Sequence, residues 1–280
     1  MSRRGPGAVR SAYYILFGGY TLVTLVAFLW IFNVSMKSNK EFLGTGPWAI
    51  AETFRWSNYG DAWRIAHIGT YFWNSVIVTV SSTVLALAVS VLAAYPLARI
   101  RFRLRNVAFT FFVLAIMVPW VMIFVPLYEI LNWLGLIDSL LGLILVYATF
   151  NIPFNLFVLT SFLKTLPYEL EEAASIDGAT PGRAFFTIIM PLTGPGLAAV
   201  AVISFLNNWN EFFYALVLVH SPDKMTLPLG MFTLGQAAEY GTNWVTLFAG
   251  MMIAVVPVLL VFMVLQRQFM RGLAEGYLKS

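Results

Sequence analysis

Cysteine is absent from the 280 residues, and histidine occurs only twice, at His67 and His220. Without thiols there is no disulfide framework, no thiolate metal site and no cysteine nucleophile. The two histidines lie far apart in sequence and make a poor metal centre, so both are read as exposed residues near an outer interface. Charge is scarce too: 11% of residues are Asp, Glu, Lys or Arg, against about a quarter in an ordinary soluble domain. No GxxxxGK[ST] sequence occurs, so the backbone cradle that holds nucleotide phosphates is not encoded in this chain. There is no low-complexity tract, no linker and no short repeat, and nothing suggests a second soluble domain.

What is present is apolar. Hydrophobic residues make up 60% of the chain and the mean hydropathy is +0.79, which is the composition of an integral membrane protein. Many of the 9 tryptophans fall near the ends of apolar runs, where amphipathic rings sit at a membrane surface. Crossing the hydrocarbon core takes about 20 apolar residues as helix. Six segments qualify: 12–35, 71–97, 107–130, 140–163, 190–219 and 243–266. The first follows Arg3, Arg4 and Arg10 as a signal peptide would. Its apolar run is longer than a signal core and has no small-residue cleavage site before Lys37, so it reads as an uncleaved span. The expected fold class is all-α, a single polytopic membrane domain over residues 1–280 with six transmembrane helices.

Basic residues are retained on the cytoplasmic side. With the N-terminus inside, twelve of the 17 fall inside: Arg3, Arg4, Arg10, Arg99, Arg101, Arg103, Arg105, Lys164, Arg183, Arg267, Arg271 and Lys279. Lys37, Lys40, Arg55, Arg64 and Lys224 fall outside. The bias predicts both termini in the cytoplasm. The cluster "RIRFRLRN", Arg99 to Asn106, is read as a topogenic anchor on the inner leaflet. The external stretch 36–70 is polar and rich in tryptophan.

One inner segment breaks the apolar pattern. "LPYELEEAASIDGATPGRAFFTIIMP", Leu166 to Pro191, packs three glutamates, an aspartate and helix punctuation into 26 residues. Pro167 suits a first helical turn, Glu169, Glu171 and Glu172 suit the positive end of the helix dipole, and Gly178 suits a left-handed stop. Thr180 and Pro181 then read as the cap and first position of a second helix. The pattern predicts a helix of about 11 residues followed by a sharp turn, too short to be stable without a partner surface. Small Ala173 and Ala174 would let such a surface approach, and Glu171, Glu172 and Asp177 would offer it carboxylates. A solvated helix lying on the bilayer fits equally well.

"EAASIDG", Glu172 to Gly178, followed by "IIMP", Ile188 to Pro191, resembles the signature of permease subunits of ATP-binding-cassette importers, with Met190 where leucine is usual. "MVPWVMIFVPLYEILNWLGLIDSLLGLIL" from Met117, "TYFWNSVIVT" from Thr70, "NNWNEFFYAL" from Asn207, "TLPLGMF" from Thr226 and "QRQFMRGLAEGYLKS" from Gln266 resemble the carbohydrate branch, and within it the smaller six-span maltose-type subunit. The resemblance implies the type I permease fold in a bacterial or archaeal inner membrane. It implies one half of a heterodimeric pathway, working with a second permease, two ATPase subunits and an extracytoplasmic solute-binding protein. ATP and magnesium would be on the ATPase, leaving this chain no cofactor and no catalytic role. The loop 165–189 would be the coupling helix docking on the ATPase through Glu171, Glu172, Ala173, Ala174, Asp177 and Gly178.

For the solute, Asn207, Asn208, Trp209, Asn210 and Glu211 place polar groups inside span 5, where they are expensive and face a bundle interior or a watery cavity. Asn151 and Asn155 do so in span 4. A sugar site and hydrogen bonds between helices both account for them. The external loop 220–242, expected to be mobile, matches the scoop-like loop that reaches the binding protein, with Gly235, Gln236 and Ala237 at its tip. Similar permeases handle disaccharides, oligosaccharides, amino sugars, polyols and glycerol phosphodiesters. A secondary transporter is the competing class, with Glu129 and Glu211 its only obvious relay groups.

Overall fold

The structure, a computed structural model, describes residues 6–46, 48–241 and 243–277. Among them all regular structure is helical. The order is α1 (Pro6–Ser35), α2 (Asn39–Gly44), α3 (Ser57–Arg64), α4 (Ile68–Arg99), α5 (Arg105–Met117), α6 (Trp120–Trp133) and α7 (Leu140–Thr165), then α8 (Glu169–Ile176) and α9 (Pro181–Ala184). A π-helical turn, Phe185–Ile189, leads into α10 (Met190–Leu192), followed by α11 (Gly194–Trp209), α12 (Phe213–Leu218), α13 (Leu227–Gly241) and α14 (Trp244–Tyr277).

Among the described residues four helices are long and apolar enough to cross a membrane: Arg10–Ser35, Ile68–Arg99, Leu140–Thr165 and Trp244–Val264. Two bent pairs bring the number to six if each is one span. Segments 107–130 and 190–219 were expected to be continuous, and here the structure differs. The first stops at Met117, with Val118 extended at ψ 122°, and restarts after Pro119. Proline has no N–H to donate and drives the residue before it out of the helical region. In the second, the helices on either side of Thr193 meet at 69°, and α11 ends at Trp209, three residues before α12.

The chain divides into two compact units. One comprises residues 1–69 and 230–256, the other 70–229 and 257–280. In the first, the membrane-length part of α1 is almost bare, with Ile15 75% and Tyr20 73% exposed. Its last residues are tied down: Asn33 accepts from Ala51 N at 2.9 Å and donates to Ala49 O at 2.8 Å. Asn58 donates to the carbonyls of Ser35 and Lys37, both at 2.8 Å. Ser38 and Glu41 form a reciprocal capping box at the start of α2, which satisfies two donors the short helix would leave open. The stretch 36–70, expected outside, is therefore built, with two helices of its own.

The stretch expected to be a mobile loop, 220–242, is mostly α13, a helix of 15 residues. Glycine misled there: neither Gly230 nor Gly235 has a positive φ. Leu227 and Leu229 are buried and the Leu227 amide is bonded to Ser75 Oγ at 2.7 Å.

Among the described residues the second unit has two apolar cores. One gathers Val78, Leu131, Leu143, Val146, Tyr214 and Leu218, and the other Val91, Ala98, Leu159, Leu163, Phe185 and Val200. Along α4 and α7 the order is first core, polar residues, second core, and along α11–α12 it runs in reverse. Ser82 and Thr83 lie between Val78 and Val91, Asn151 and Asn155 between Val146 and Leu159, and Ser204 and Asn208 between Val200 and Tyr214. A polar layer thus separates the two cores.

Candidate functional site

The polar layer is a connected network. Asn151 Nδ2 donates to the Tyr147 carbonyl at 2.7 Å and to Asn208 Oδ1 at 2.8 Å. Asn208 Nδ2 donates to Ser82 Oγ at 2.9 Å and Thr83 Oγ1 at 3.1 Å, and Ser82 Oγ donates to the Val78 carbonyl at 2.6 Å. One turn away, Asn155 and Ser204 bond each other reciprocally at 3.0 and 3.1 Å. Three spans are thereby pinned in register, since a polar group in an apolar interior is tolerated only when bonded. Asn155 is fully buried, so for it the interhelical role accounts for the whole side chain. Trp209 is buried too, stacked on Phe205 at 5.8 Å and edge-on to Phe72 at 5.9 Å.

The break between α11 and α12 is where the network opens. Glu211 Oε1 accepts from Tyr214 N at 2.8 Å and Oε2 accepts from Ala215 N at 3.3 Å, capping the first turn of α12. The Tyr147 hydroxyl donates to the same carboxylate. Interrupted backbone at membrane depth persists only where it is buried in protein or lines a cavity. Here a cavity of about 120 Å³ adjoins the break, lined by Tyr147, Phe150, Asn151, Asn207, Asn208, Glu211 and Tyr214. Exposed Asn210 bonds back to Leu206 O at 2.8 Å and is not part of that lining. The arrangement can offer amide donors and acceptors, a carboxylate and the rings of Phe150 and Tyr214 to a hydroxyl-rich molecule.

At α8 the segment forms eight helical residues where about 11 were expected, because Leu166, held extended before Pro167, stops α7 and delays the restart to Glu169. The stop at the other end is as anticipated. Asp177 is the C-cap, Gly178 has φ 77°, Gly178 N bonds Ser175 O at 3.0 Å and Ala179 N bonds Ala174 O at 2.9 Å. These two bonds are those of a Schellman motif. Thr180 caps α9 by accepting from Arg183 N, with Pro181 at the first position.

The six residues nominated on this segment divide between two faces. Ala174 is buried and Glu171 turns inward, 3.7 Å from Arg99 Nε. Glu172, Ala173, Asp177 and Gly178 are exposed. Sequence reasoning missed Ile176, 86% exposed on the outward face one turn from Glu172. An isoleucine in an acidic, solvent-facing stretch was the available signal.

Arg99 was also missed as anything beyond a topogenic charge. Its side chain is 2% exposed, its Nη2 donates to Leu166 O at 2.7 Å and its guanidinium lies 4.3 Å from the Tyr168 ring centre. Arg105 donates to the carbonyls of Leu97 and Ala98 at 2.7 and 3.1 Å, closing the open end of α4. Of the four arginines in the cluster only Arg101 and Arg103 are exposed, as an anchor alone would be.

Gln236 and Ala237 are exposed on α13, and Gly235 is partly covered. His67 and His220 are exposed as expected. Asp138, at φ 53°, ties two connections together: its carboxylate accepts from the amides of His220 and Ser221 at 2.9 Å, from the Ser221 hydroxyl, and from Lys224 Nζ at 3.0 Å. The Ser221 hydroxyl, the two amides and Lys224 hold its carboxyl well below the usual carboxylate range. Among the described residues no group of three or more His, Asp or Glu is placed to hold a metal ion.

Residues 86–275 match the family described as "Binding-protein-dependent transport system inner membrane component". The diacetylchitobiose uptake system permease protein NgcG of Streptomyces coelicolor is 38% identical over 275 residues, 98% of this chain and 90% of that protein. The trehalose transport system permease protein SugB of Mycobacterium tuberculosis is 31% identical, over 98% of this chain and 100% of its own. Among solved structures, a chain of a bacterial ABC transporter involved in the import of the acidic polysaccharide alginate superposes with a TM-score of 0.81. That match covers 96% of this chain and 99% of the other at 23% identity.

Proposed function

The chain belongs to the family of binding-protein-dependent transport system inner membrane components, and from that premise we propose that it forms half of the translocation pathway of a carbohydrate importer. Six spans, counting each bent pair as one, run with both termini in the cytoplasm of a bacterial or archaeal inner membrane. A second permease completes the pathway. Two ATPase subunits supply ATP and magnesium chemistry, and an extracytoplasmic binding protein delivers the solute. The single observation that carries the reading is the division of α8 into an anchored face and a bare one: Glu171 and Ala174 turn inward while Glu172, Ala173 and Ile176 stay exposed. A bare isoleucine between small and acidic residues on so short a helix is the form of a docking face.

When the ATPase pair closes on ATP, the two docked helices are drawn together and the spans above them tilt between inward- and outward-open arrangements. Gly235, Gln236 and Ala237 on α13 face the binding protein. The solute passes the cavity at the broken span, where Asn151, Asn207, Asn208 and Glu211 meet Phe150 and Tyr214. That lining contains amides, aromatic rings and a carboxylate and no basic residue, which suits a hydroxylated ring better than a phosphodiester. The curated relatives named for diacetylchitobiose and trehalose point the same way.

The test is purification of the tagged chain from its native membrane followed by uptake into proteoliposomes. An ATPase chain should copurify, and uptake of a labelled oligosaccharide should need ATP and the binding protein. Uptake driven by an ion gradient, with no ATPase retained, would place the chain with secondary transporters instead. ATP-driven uptake of a glycerol phosphodiester but of no sugar would refute the substrate class alone.

A further inference from the structure

We infer that Arg99 is the positioning residue through which movement of the coupling helix reaches the long span α4. The inference rests on the reading of α8 as that helix. Arg99 is the last residue of α4, yet its charge is directed beneath α8 and away from solvent. Its guanidinium touches three consecutive features of the neighbouring segment. Nη2 donates to the carbonyl of Leu166, where α7 ends, at 2.7 Å. Its central carbon lies 4.3 Å from the ring centre of Tyr168, the N-cap of α8. Nε faces Glu171, in the first turn of α8, at 3.7 Å. Tyr168 returns the contact, its hydroxyl donating to the Ala98 carbonyl at 3.4 Å.

This is a joint between the end of one helix and the start of another, and its chemistry suits transmission better than permanent fastening. A buried arginine saturated by bidentate carboxylate bonds would be a fixed structural tie. Here Nε and Nη1 make no hydrogen bond among the described residues, and the carboxylate lies beyond bonding distance. The guanidinium therefore keeps contact while having donors to spare for a second arrangement of Glu171 and Leu166. Lysine could reproduce the charge but not the planar fork of donors that meets the Leu166 carbonyl and the Tyr168 ring together. The outward face, Glu172, Ala173 and Ile176, is not involved, so loss of Arg99 separates docking of the ATPase from the response of the spans. A bistable element biased from its docking side is what a claim of coupling needs.

The experiment uses the purified transporter with its native partners in proteoliposomes, and reads solute transported per ATP hydrolysed. Arg99→Ala should keep its ATPase subunits while that ratio falls at least tenfold. Arg99→Lys should fall by about threefold, and Arg101→Ala, which removes an exposed charge of the same cluster, should match wild type. A wild-type ratio in the Arg99→Ala assembly overturns the inference alone. Should Arg99→Ala fail to accumulate, Arg99→Lys decides by the same ratio, an unchanged value being the refutation. A wild-type chain that retains no ATPase overturns the parent reading and this inference with it.

Discussion

Gly178 offers the sharpest test of what the end of α8 does. At φ 77° it sits in the left-handed region, and an added Cβ would meet nothing within 4 Å. Substitution therefore costs backbone conformation and no steric clash. For an L-residue that cost is about 1–2 kcal/mol, which shifts the population of the intact helix end by about 5- to 30-fold. The two bonds the stop makes, Gly178 N to Ser175 O and Ala179 N to Ala174 O, contribute roughly 1 kcal/mol each. The penalty and the bonds are of the same size, so alanine should weaken the stop without erasing the helix. Asparagine tolerates this region far better than alanine, so Gly178→Asn should stay within about threefold of wild type on that conformational scale. Gly178→Asp tolerates it as well but adds a negative charge beside exposed Asp177 and Glu172, and is expected to abolish coupling. The assay is ATP hydrolysis stimulated by loaded binding protein in proteoliposomes, normalised to the amount of this chain in the membrane. The expected order is Gly, Asn, Ala, Asp. If Asn proves as damaging as Ala or worse, the glycine is needed for close approach of the partner surface, and the conformational argument fails.

Other expectations follow from buried contacts and from charge. Asn155→Ala leaves buried Ser204 without its reciprocal partner, a loss of about 1–3 kcal/mol. It should lower the melting temperature in detergent while uptake per assembled transporter holds; the reverse pattern would make Asn155 a solute contact. Gly142→Ala should be worse than Gly196→Ala in the same melt. The new Cβ at 142 would lie 2.3 Å from the Leu136 backbone carbonyl, whereas at 196 it meets only the Phe162 ring at 2.9 Å, a side chain able to shift. Asp138, held below the usual range by Ser221, His220 and Lys224, contributes stability that is fully present above its unfolded value of about 4 and is lost as pH falls through its lower folded value. The stability gap between wild type and Asp138→Asn should therefore be constant at neutral pH and shrink below about pH 4. A gap that stays flat into acid would refute the assignment of its cause.

Legibility in the sequence varied with how local the controlling physics is. The Gly178 stop and the Thr180–Pro181 cap were readable because the residues that make them are adjacent and chemically specific. The four long spans were readable because hydropathy over some 20 residues fixes a helix in lipid almost regardless of detail. The breaks in 107–130 and 190–219 were not, because hydropathy averages across them. At the first, the Val118–Pro119 pair was the local signal. At the second, Glu211 both interrupts the apolar pattern and caps the helix that restarts, a role visible only with Tyr214 and Ala215 in place. The loop expected at 220–242 failed in the opposite sense. Its glycines look like turn residues, but Gly235 is a helical position with Leu247 3.9 Å from where a Cβ would stand.

Charge near the membrane shows the same divide between what counting gives and what contacts give. Arginine position sets topology through interaction with the translocation machinery and the lipid surface, a property of residue number and side. That reading treats Arg99, Arg101, Arg103 and Arg105 alike. The folded chain does not: Arg105 closes the end of α4 on the Leu97 and Ala98 carbonyls, Arg99 is drawn beneath α8, and the two between them are left to solvent. Glu171 and Glu172 divide in the same way, neighbours in sequence whose helical positions point one inward and one outward. The signature residues of a loop thus need not share one partner. On this helix adjacent carboxylates face two ways, one toward Arg99 and one toward solvent, and if the outward face docks as proposed, substituting them singly should separate anchoring of α8 from its docking.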